Sequence, residues 1–344
     1  MNILITNSCL ATLGGSESFV RELGCTLKNL GHTVMAYSHN PGDARRLSEL
    51  KMVESTDNLR QLKFRPDVIH AQHHLDAMAA IMALPGVPAL YHCHGGVWRE
   101  TPPRHPRIYH YLAMSRTLAE RISVESNIPP ANISVWLNTV DIQRFTTVRQ
   151  LPIRPARALF YNKIHHSGSP TVAAIREATS KLGLSLDFIG RKFGPLVSNP
   201  EAVLPNYDIV FASGRSAIDA LACGCAVVVL GRTSCGELVV PENYDRIRGV
   251  NFSIAVNSAP TTAEKIETQL RRYDATDCAQ ISQRLRGEAD ARLSGPKLMR
   301  IYEDVIATHL TTPADLPEEM RAAARYLRQI TPLILNCEHV LRSR

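Results

Sequence analysis

The residues best suited to chemistry gather between Asp208 and Glu237. Four apolar residues, Ile209 to Ala212, lead into Ser213-Gly214-Arg215-Ser216, and Ala217 to Cys223 then reads as a helix closed by Gly224. A second apolar run, Ala226 to Leu230, follows. Two short apolar runs around a helix read as buried parallel strands of a βαβ unit. The open start of such a helix is an anion site, because its first N–H groups lack partners and its dipole turns the positive end outward. Gly214 lets a ligand come close, Arg215 adds a fixed cation and Ser216 reads as the N-cap. A phosphate fits these features; the alternative is a tight turn with a surface arginine.

Histidine is the other recurrent residue of this kind. In Ala89-Leu90-Tyr91-His92-Cys93-His94 the two imidazoles alternate with apolar residues, so on a strand they share one face. Gly95-Gly96 leaves the His94 ring free at the strand's carboxyl end, where loops carry function. A neutral imidazole there suits a polar contact or proton transfer, the alternative being a ring that satisfies loop backbone. His70, His73 and His74 invite a metal reading. Their spacing matches no recognised site and no carboxylate pair is near, so they are expected to pack or to rim a cleft. Lys163 and the pair Arg191-Lys192, after the strand Leu186-Asp187-Phe188-Ile189-Gly190, are further cations, read either as nucleotide contacts or as solvated loop charge.

Positioning these groups needs a repeated strand–helix order, which runs through both halves. Asn2 to Thr6 is a strand, Gly14-Gly15-Ser16-Glu17 a loop, and Phe19, Val20, Leu23, Leu27 and Leu30 mark one helix face stopped by Gly31. This is not G-x-G-x-x-G, which argues against a nicotinamide dehydrogenase. Thr33 to Ser38, Asp67 to Ala71, Ala89 to Cys93 and Tyr111 to Met114 read as strands. Ser115 reads as the N-cap of a helix marked by Leu118, Ile122 and Val124, and Ser169-Pro170 opens another. A polar linker is expected at 147–155, a helix start at Cys235-Gly236-Glu237, and helices through 263–273, 278–293, 298–310 and from Pro317 onward.

The chain has 344 residues, enough for two domains, with 44% hydrophobic residues and a formal net charge of +7. The charge is spread rather than patched, which argues against nucleic acid while permitting a nucleotide, a lipid phosphate or peripheral contact with a membrane surface. Most of the eight cysteines lie in apolar runs without a C-x-x-C pair, as reduced core thiols do. No run of about eighteen apolar residues occurs and the opening residues lack a signal-peptide pattern, so a cytoplasmic protein is expected.

Together these motifs resemble those of the glycogen-synthase-like glycosyltransferases, group 1 or family 4, which share the GT-B fold. Asp219-Ala220-Leu221-Ala222-Cys223-Gly224-Cys225-Ala226-Val227-Val228 is similar to their glutamate followed by Ala-Met-Ala-x-Gly-x-Pro-Val-Val. An earlier glutamate of that family has no counterpart, because Ser213-Gly214-Arg215 shortens the loop. Gly14, Gly15 and Glu17 match the Gly-Gly-x-Glu opening, Gly31-His32-Thr33-Val34 matches Gly-His-x-Val, and His94-Gly95 matches the end of Thr-x-His-Gly. Ile133 to Asp141 with Phe145 resembles the end of the first domain, Thr139 replacing a glycine. Lys163 stands for the arginine of Val-Gly-Arg, and the family's next lysine has no clear heir.

The resemblance implies an α/β GT-B protein with two doubly wound, Rossmann-like parallel sheets facing a cleft. Residues 1–150 would form the acceptor side, 151–312 the nucleotide-sugar domain, and 313–344 a helical segment crossing back. It implies glycosyl transfer from a nucleoside-diphosphate sugar to a glycan, lipid-linked or other glycoconjugate acceptor, with no cofactor beyond the donor. His94 and Glu17 become the candidate catalytic residues. Gly14, Gly15, Lys163, Gly190, Arg191, Gly214, Arg215, Ser216 and Asp219 become the donor-binding ones, Asp219 accepting from the ribose hydroxyls. The absence of D-x-D argues for metal independence. Two alternatives remain: a GT-B nucleotide-sugar epimerase, which needs no acceptor, and a catalytically silent GT-B module acting through a protein partner.

Overall fold

The computed structural model describes residues 1–12, 14–43, 53–162, 167–190, 193, 197, 199–231, 236–253 and 261–342. Two compact units form, Met1–Trp136 with Gly295–Arg344, and Leu137–Ser294.

In the first unit, β1 (Asn2–Thr6), β2 (Thr33–Tyr37), β3 (Ser55–Thr56), β4 (Val68–Ala71), β5 (Ala89–Cys93), β6 (Ile108–Ala113) and β7 (Ile133–Val135) form one sheet, in the order β3-β2-β1-β4-β5-β6-β7. Every neighbouring pair is parallel. Both faces of such a sheet are covered, which is why its strands are apolar without alternation. Leu4, Ile69 and Tyr91 face one core; Ile3, Ile5, Val68 and Leu90 face the other. The first core takes α2 (His74–Ala83) through Ala77, Met78 and Ile81, and α3 (Arg116–Glu125) through Leu118 and Ile122. The second takes Phe19, Val20, Leu23 and Leu27 of α1 (Gly15–Asn29). Ser115 caps α3 as expected, accepting from the Leu118 N–H at 3.1 Å. Two residues assigned inward point out: Leu30 caps the end of α1 and is 41% exposed, and Val124, in the last turn of α3, is 82% exposed.

In the second unit, β8 (Arg157–Tyr161), β9 (Ser185–Ile189), β10 (Ile209–Ala212) and β11 (Ala226–Val229) are parallel in the order β11-β10-β8-β9. One face packs on α4 (Pro170–Lys181) and, past the short α5 (Pro200–Val203), α6 (Arg215–Ala222) and α7 (Tyr244–Gly249), on α8 (Ala263–Leu270). The other packs on Ala217, Ile218 and Leu221 of α6, Tyr244 and Ile247 of α7, and Ile281 and Leu285 of α9 (Ala275–Glu288). The Ser169 hydroxyl caps α4, accepting from the Val172 N–H at 3.3 Å. No helix begins at Gly236-Glu237: Leu238 bridges antiparallel to Val228, and the next helix waits until Tyr244. A side chain at Gly236 would collide with the Val229 carbonyl, so the close strand approach needs a glycine there.

The units divide at Leu137 and Gly295 rather than at 151 and 313. Val140 and Phe145 are buried in the second unit's core, and the Arg149 guanidinium pairs with Asp208 at 2.5 Å. The chain re-enters the first unit within α10 (Ala291–Thr311), whose Leu298, Tyr302 and Val305 join the core beside α1, and it ends in α11 (Leu316–Arg342). Among the described residues no helix is long and apolar enough to cross a membrane.

Each sheet reverses its winding once, between β1 and β4 in the first unit and between β8 and β10 in the second. Beyond the carboxyl ends of such strand pairs, open α/β sheets leave a crevice for ligands.

Candidate functional site

At the β1/β4 reversal, the Thr6 hydroxyl donates to the Gln72 carbonyl at 2.8 Å and accepts from the Gln72 N–H at 2.9 Å. The chain ends are thereby held in register. One residue further, the Ser8 N–H donates to His73 Nδ1 at 3.1 Å, and the Ser8 hydroxyl lies 2.7 Å from the same nitrogen. Because Nδ1 accepts, Nε2 carries the hydrogen, and it faces Glu100 Oε1 at 3.9 Å. His73 is held at φ 56°, ψ 101°, a backbone conformation that non-glycine residues rarely adopt. Strain of this kind persists where surrounding contacts over-determine a position, often at functional sites. Burial, then the nearby Arg99, His74 and His39, lowers the His73 pKa to about 4.

His94 sits on the next strand end. Its Nε2 is in close contact with Gln72 Oε1, its Nδ1 lies 3.0 Å from Met114 Sδ, its ring stacks on His92 at 4.3 Å, and Phe19 meets it edge-on at 4.6 Å. The stacking confirms that His92 and His94 share a strand face. Burial first, then His73, His70 and Arg99, holds the His94 pKa well below the ordinary value. The ring is therefore neutral at pH 7, offering an N–H to Gln72 while its basic nitrogen faces a thioether. That is the chemistry of a neutral hydrogen-bonding contact more than of an open base. Behind it the rings continue: His92 Nδ1 lies 3.2 Å from His70 Nε2, and His70 Nδ1 lies 2.7 Å from the Tyr302 hydroxyl. His70, His73 and His74 are all buried, as packed histidines are, and among the described residues no group of three His, Cys, Asp or Glu side chains is placed to hold a metal ion.

Glu17 turns back over the start of its own helix. Its carboxylate accepts from the Thr12 hydroxyl at 2.7 Å and the Ser16 hydroxyl at 3.0 Å, and a Cβ at Gly14 would lie 2.1 Å from Oε2. The positive end of α1 thus already faces an internal carboxylate. Gly15 has open space where a side chain would be.

In the second unit the β8/β10 reversal brings Tyr161 against the Gly214-Arg215-Ser216 turn. Gly214, not Ser216, is the N-cap of α6; at φ 57°, ψ −128° it takes a conformation only glycine tolerates, and it places Ser216 inside the first turn. Ser216 therefore lies near the Tyr161 hydroxyl, whose pKa is raised by burial and then by Asp219. Arg215 Nε lies 3.2 Å from Asp219 Oδ1 one turn on, with both side chains nearly buried. The two residues assigned to phosphate and ribose are thus neighbours in one ion pair. Gly190 closes β9 against Asn162: an added Cβ would lie 2.0 Å from the Asn162 carbonyl oxygen. Lys163 and Arg191 lie outside the described residues.

The sequence did not disclose the supports. Phe252, at φ 51°, accepts the Gly214 N–H at 2.6 Å, and Asn251, at φ 53°, is held by Arg248 at 3.0 Å and by the Asn138 N–H at 2.9 Å. Ser8, Gln72 and Glu100 were likewise missed. The Ser8 to His73 separation of sixty-five residues carries no spacing signal.

Residues 13–144 match the family model described as Glycosyltransferase Family 4. No curated protein matches the chain. Solved structures of the same fold include a glycosyltransferase from Rickettsia africae ESF-5, with 15% identity, 89% of this chain and 98% of that one covered, and a TM-score of 0.61. The glycotransferase of kitacinnamycin gives 16%, 87%, 98% and 0.52, and a UDP-N-acetylglucosamine 2-epimerase 13%, 84%, 91% and 0.50. At these identities the structural likeness is one of fold. The chain has the GT-B fold, and over residues 13–144 it is similar to family 4 glycosyltransferases.

Proposed function

We propose that this protein moves a glycosyl group from a nucleoside-diphosphate sugar to a glycan, lipid-linked or other glycoconjugate acceptor in the cytoplasm, without a metal ion. In that reaction the bond from the sugar's anomeric carbon to the diphosphate breaks, an acceptor oxygen takes its place, and the acceptor's hydroxyl proton is released. The family match over 13–144 carries the reading, and the chemistry of the second unit's strand reversal supports it. The start of α6, with Arg215 and Ser216 in its first turn, suits the charge that grows on the leaving diphosphate. Asp219 holds Arg215 in place and is the acceptor for ribose hydroxyls; Gly190 keeps the β8 and β9 ends close. Lys163 and Arg191 are assigned to the same diphosphate from the sequence pattern. On the acceptor side, neutral His94 donates its N–H to Gln72 Oε1 and so turns the Gln72 amide nitrogen, which has no partner among the described residues, toward substrate oxygens; open Gly15 admits the phosphates, and Glu17, beside Gly14, orders the loop that precedes α1.

A second reading, a nucleotide-sugar epimerase, has the fold likeness to a UDP-N-acetylglucosamine 2-epimerase behind it. The two separate by experiment. A panel of UDP-, GDP-, dTDP- and ADP-sugars is screened by thermal shift, since a ligand that binds the native state raises its melting temperature. The selected donor is then incubated with and without acceptors. Nucleotide release together with a glycosylated acceptor supports transfer; an altered sugar with no acceptor present supports epimerisation. A folded sample silent to the whole panel defeats both.

A further inference from the structure

Transfer to a hydroxyl leaves a proton to be placed, and the basic groups already described at the strand ends of the first unit are engaged. His73 Nδ1 is taken by Ser8 and His74 Nδ1 lies 2.7 Å from the Tyr326 hydroxyl, while the Nε2 atoms of both rings are buried. His94 turns its two nitrogens to Gln72 and Met114, and the Glu17 carboxylate accepts from Thr12 and Ser16.

His39, just past the carboxyl end of β2, differs. Its side chain is 62% exposed, yet its Nδ1 lies 3.0 Å from Asp76 Oδ1 and 3.3 Å from Oδ2, and its own N–H donates to Oδ1 at 2.9 Å. A carboxylate only accepts, so Nδ1 carries the hydrogen and Nε2 keeps the basic lone pair. Among the described residues Nε2 has no hydrogen-bond partner. Asp76 is 2% exposed and sits in the first turn of α2, whose positive end favours its charge. The backbone here is fixed as well: the Ser38 N–H donates to the Thr56 carbonyl at 3.0 Å, the Asn40 N–H to the Ser38 hydroxyl at 3.1 Å and the Leu10 N–H to the Asn40 carbonyl at 2.8 Å. Because Leu10 follows β1 and Asp76 comes shortly after His73, these ties set His39 beside the β1/β4 reversal. Burying a carboxylate is costly, and tying the β2 end to α2 through the backbone N–H needs no imidazole. A ring held at one nitrogen by a buried charge and open at the other is the arrangement of an oriented base, which recurs on unrelated folds.

We infer that His39 is the general base for the acceptor hydroxyl and that Asp76 is its positioning residue. The inference rests on the transfer reading above. As the acceptor oxygen bonds to the anomeric carbon, its hydrogen passes to the Nε2 lone pair, and the electron pair of the breaking carbon–oxygen bond leaves with the diphosphate. The imidazolium so formed faces the Asp76 carboxylate, which stabilises it, and it then gives its proton to water.

The test uses the full chain with a donor and an acceptor that the parent protein couples. His39→Ala, at an exposed position, should lower kcat by about 10²- to 10⁴-fold, while the calorimetric Kd for the donor and the melting temperature stay those of the parent. Added imidazole should restore part of the lost rate in proportion to its concentration, and sodium chloride at the same ionic strength should not. Asp76→Asn, which keeps the shape of the side chain without its charge, should also lower kcat at unchanged donor Kd. Transfer unchanged in His39→Ala, or a loss that imidazole leaves as it is, overturns the base assignment while the transfer reading stands. A loss that comes with weaker donor binding overturns it too and makes His39 a binding residue. A parent that binds no donor, or that binds one and glycosylates no acceptor, defeats the transfer reading and this inference with it.

Discussion

Acidification should unfold the first unit well before a carboxylate-driven acid transition would. Burial holds His70 at a pKa of about 3 and His73, His74 and His105 at about 4, against an ordinary 6.5. Each ring is 5% exposed or less. Below pH 6.5 the unfolded chain protonates these imidazoles, while the folded chain does not until about pH 4. The unfolded state then binds more protons, so the stability is fully present above pH 6.5 and is lost as pH falls toward 4. At pH 5.5 each ring costs about 1.4 kcal/mol relative to pH 7.5, and the four together about 5 kcal/mol, comparable to the whole stability of many domains. His92 and His94, also held down by burial, add to the loss; Glu100, raised by burial, opposes it as a single carboxylate. The chain's two tryptophans, Trp98 and Trp136, both belong to the first unit, so tryptophan fluorescence follows that unit alone. Urea unfolding read this way should show a midpoint about 2 M lower at pH 5.5 than at pH 7.5, taking a denaturant slope of about 2–3 kcal/mol/M. His105→Asn should flatten the pH dependence by about 1.4 kcal/mol over the same interval. Equal midpoints at the two pH values would refute the claim that the rings are buried and neutral.

Three other outcomes are expected. Arg107 is 1% exposed and donates to the carbonyls of Ile81, Leu84 and Val87 as well as to Glu319, so Arg107→Met should lower first-unit stability by about 3–5 kcal/mol. A change below about 1 kcal/mol in the same urea experiment would show that water replaces those bonds. Arg215→Ala should raise the calorimetric Kd for UDP or GDP by roughly 10- to 100-fold, the worth of one or two charge-assisted hydrogen bonds; unchanged affinity for both removes it from the phosphate site. Transfer should survive EDTA, and its loss with recovery on adding magnesium or manganese would refute metal independence.

The parallel sheets were legible because two-sided burial demands unbroken apolar runs such as Ile209-Val210-Phe211-Ala212, and a run needs no knowledge of its partner. The caps Ser115 and Ser169 were legible for the same reason, since a cap acts on an N–H three residues away. Ser216 was misplaced as a cap because Gly214 reaches a conformation that no neighbouring residue signals, stabilised by Phe252 from thirty-eight residues further on. The unit boundary was misplaced because Val140 and Phe145 look like linker residues until the core that receives them is assembled. What the sequence by itself determined was therefore local: which segments are strands, which helices begin with a small polar residue, and that a turn containing Gly214 follows β10. Only the tertiary structure decided that His73 accepts from Ser8 across the β1/β4 reversal, that Asp219 holds Arg215, and that Arg107 ties α2 to α11. The first kind of information depends on backbone geometry within a few residues. The second depends on which distant side chains share a site once the sheets close, and burial then decides their charge.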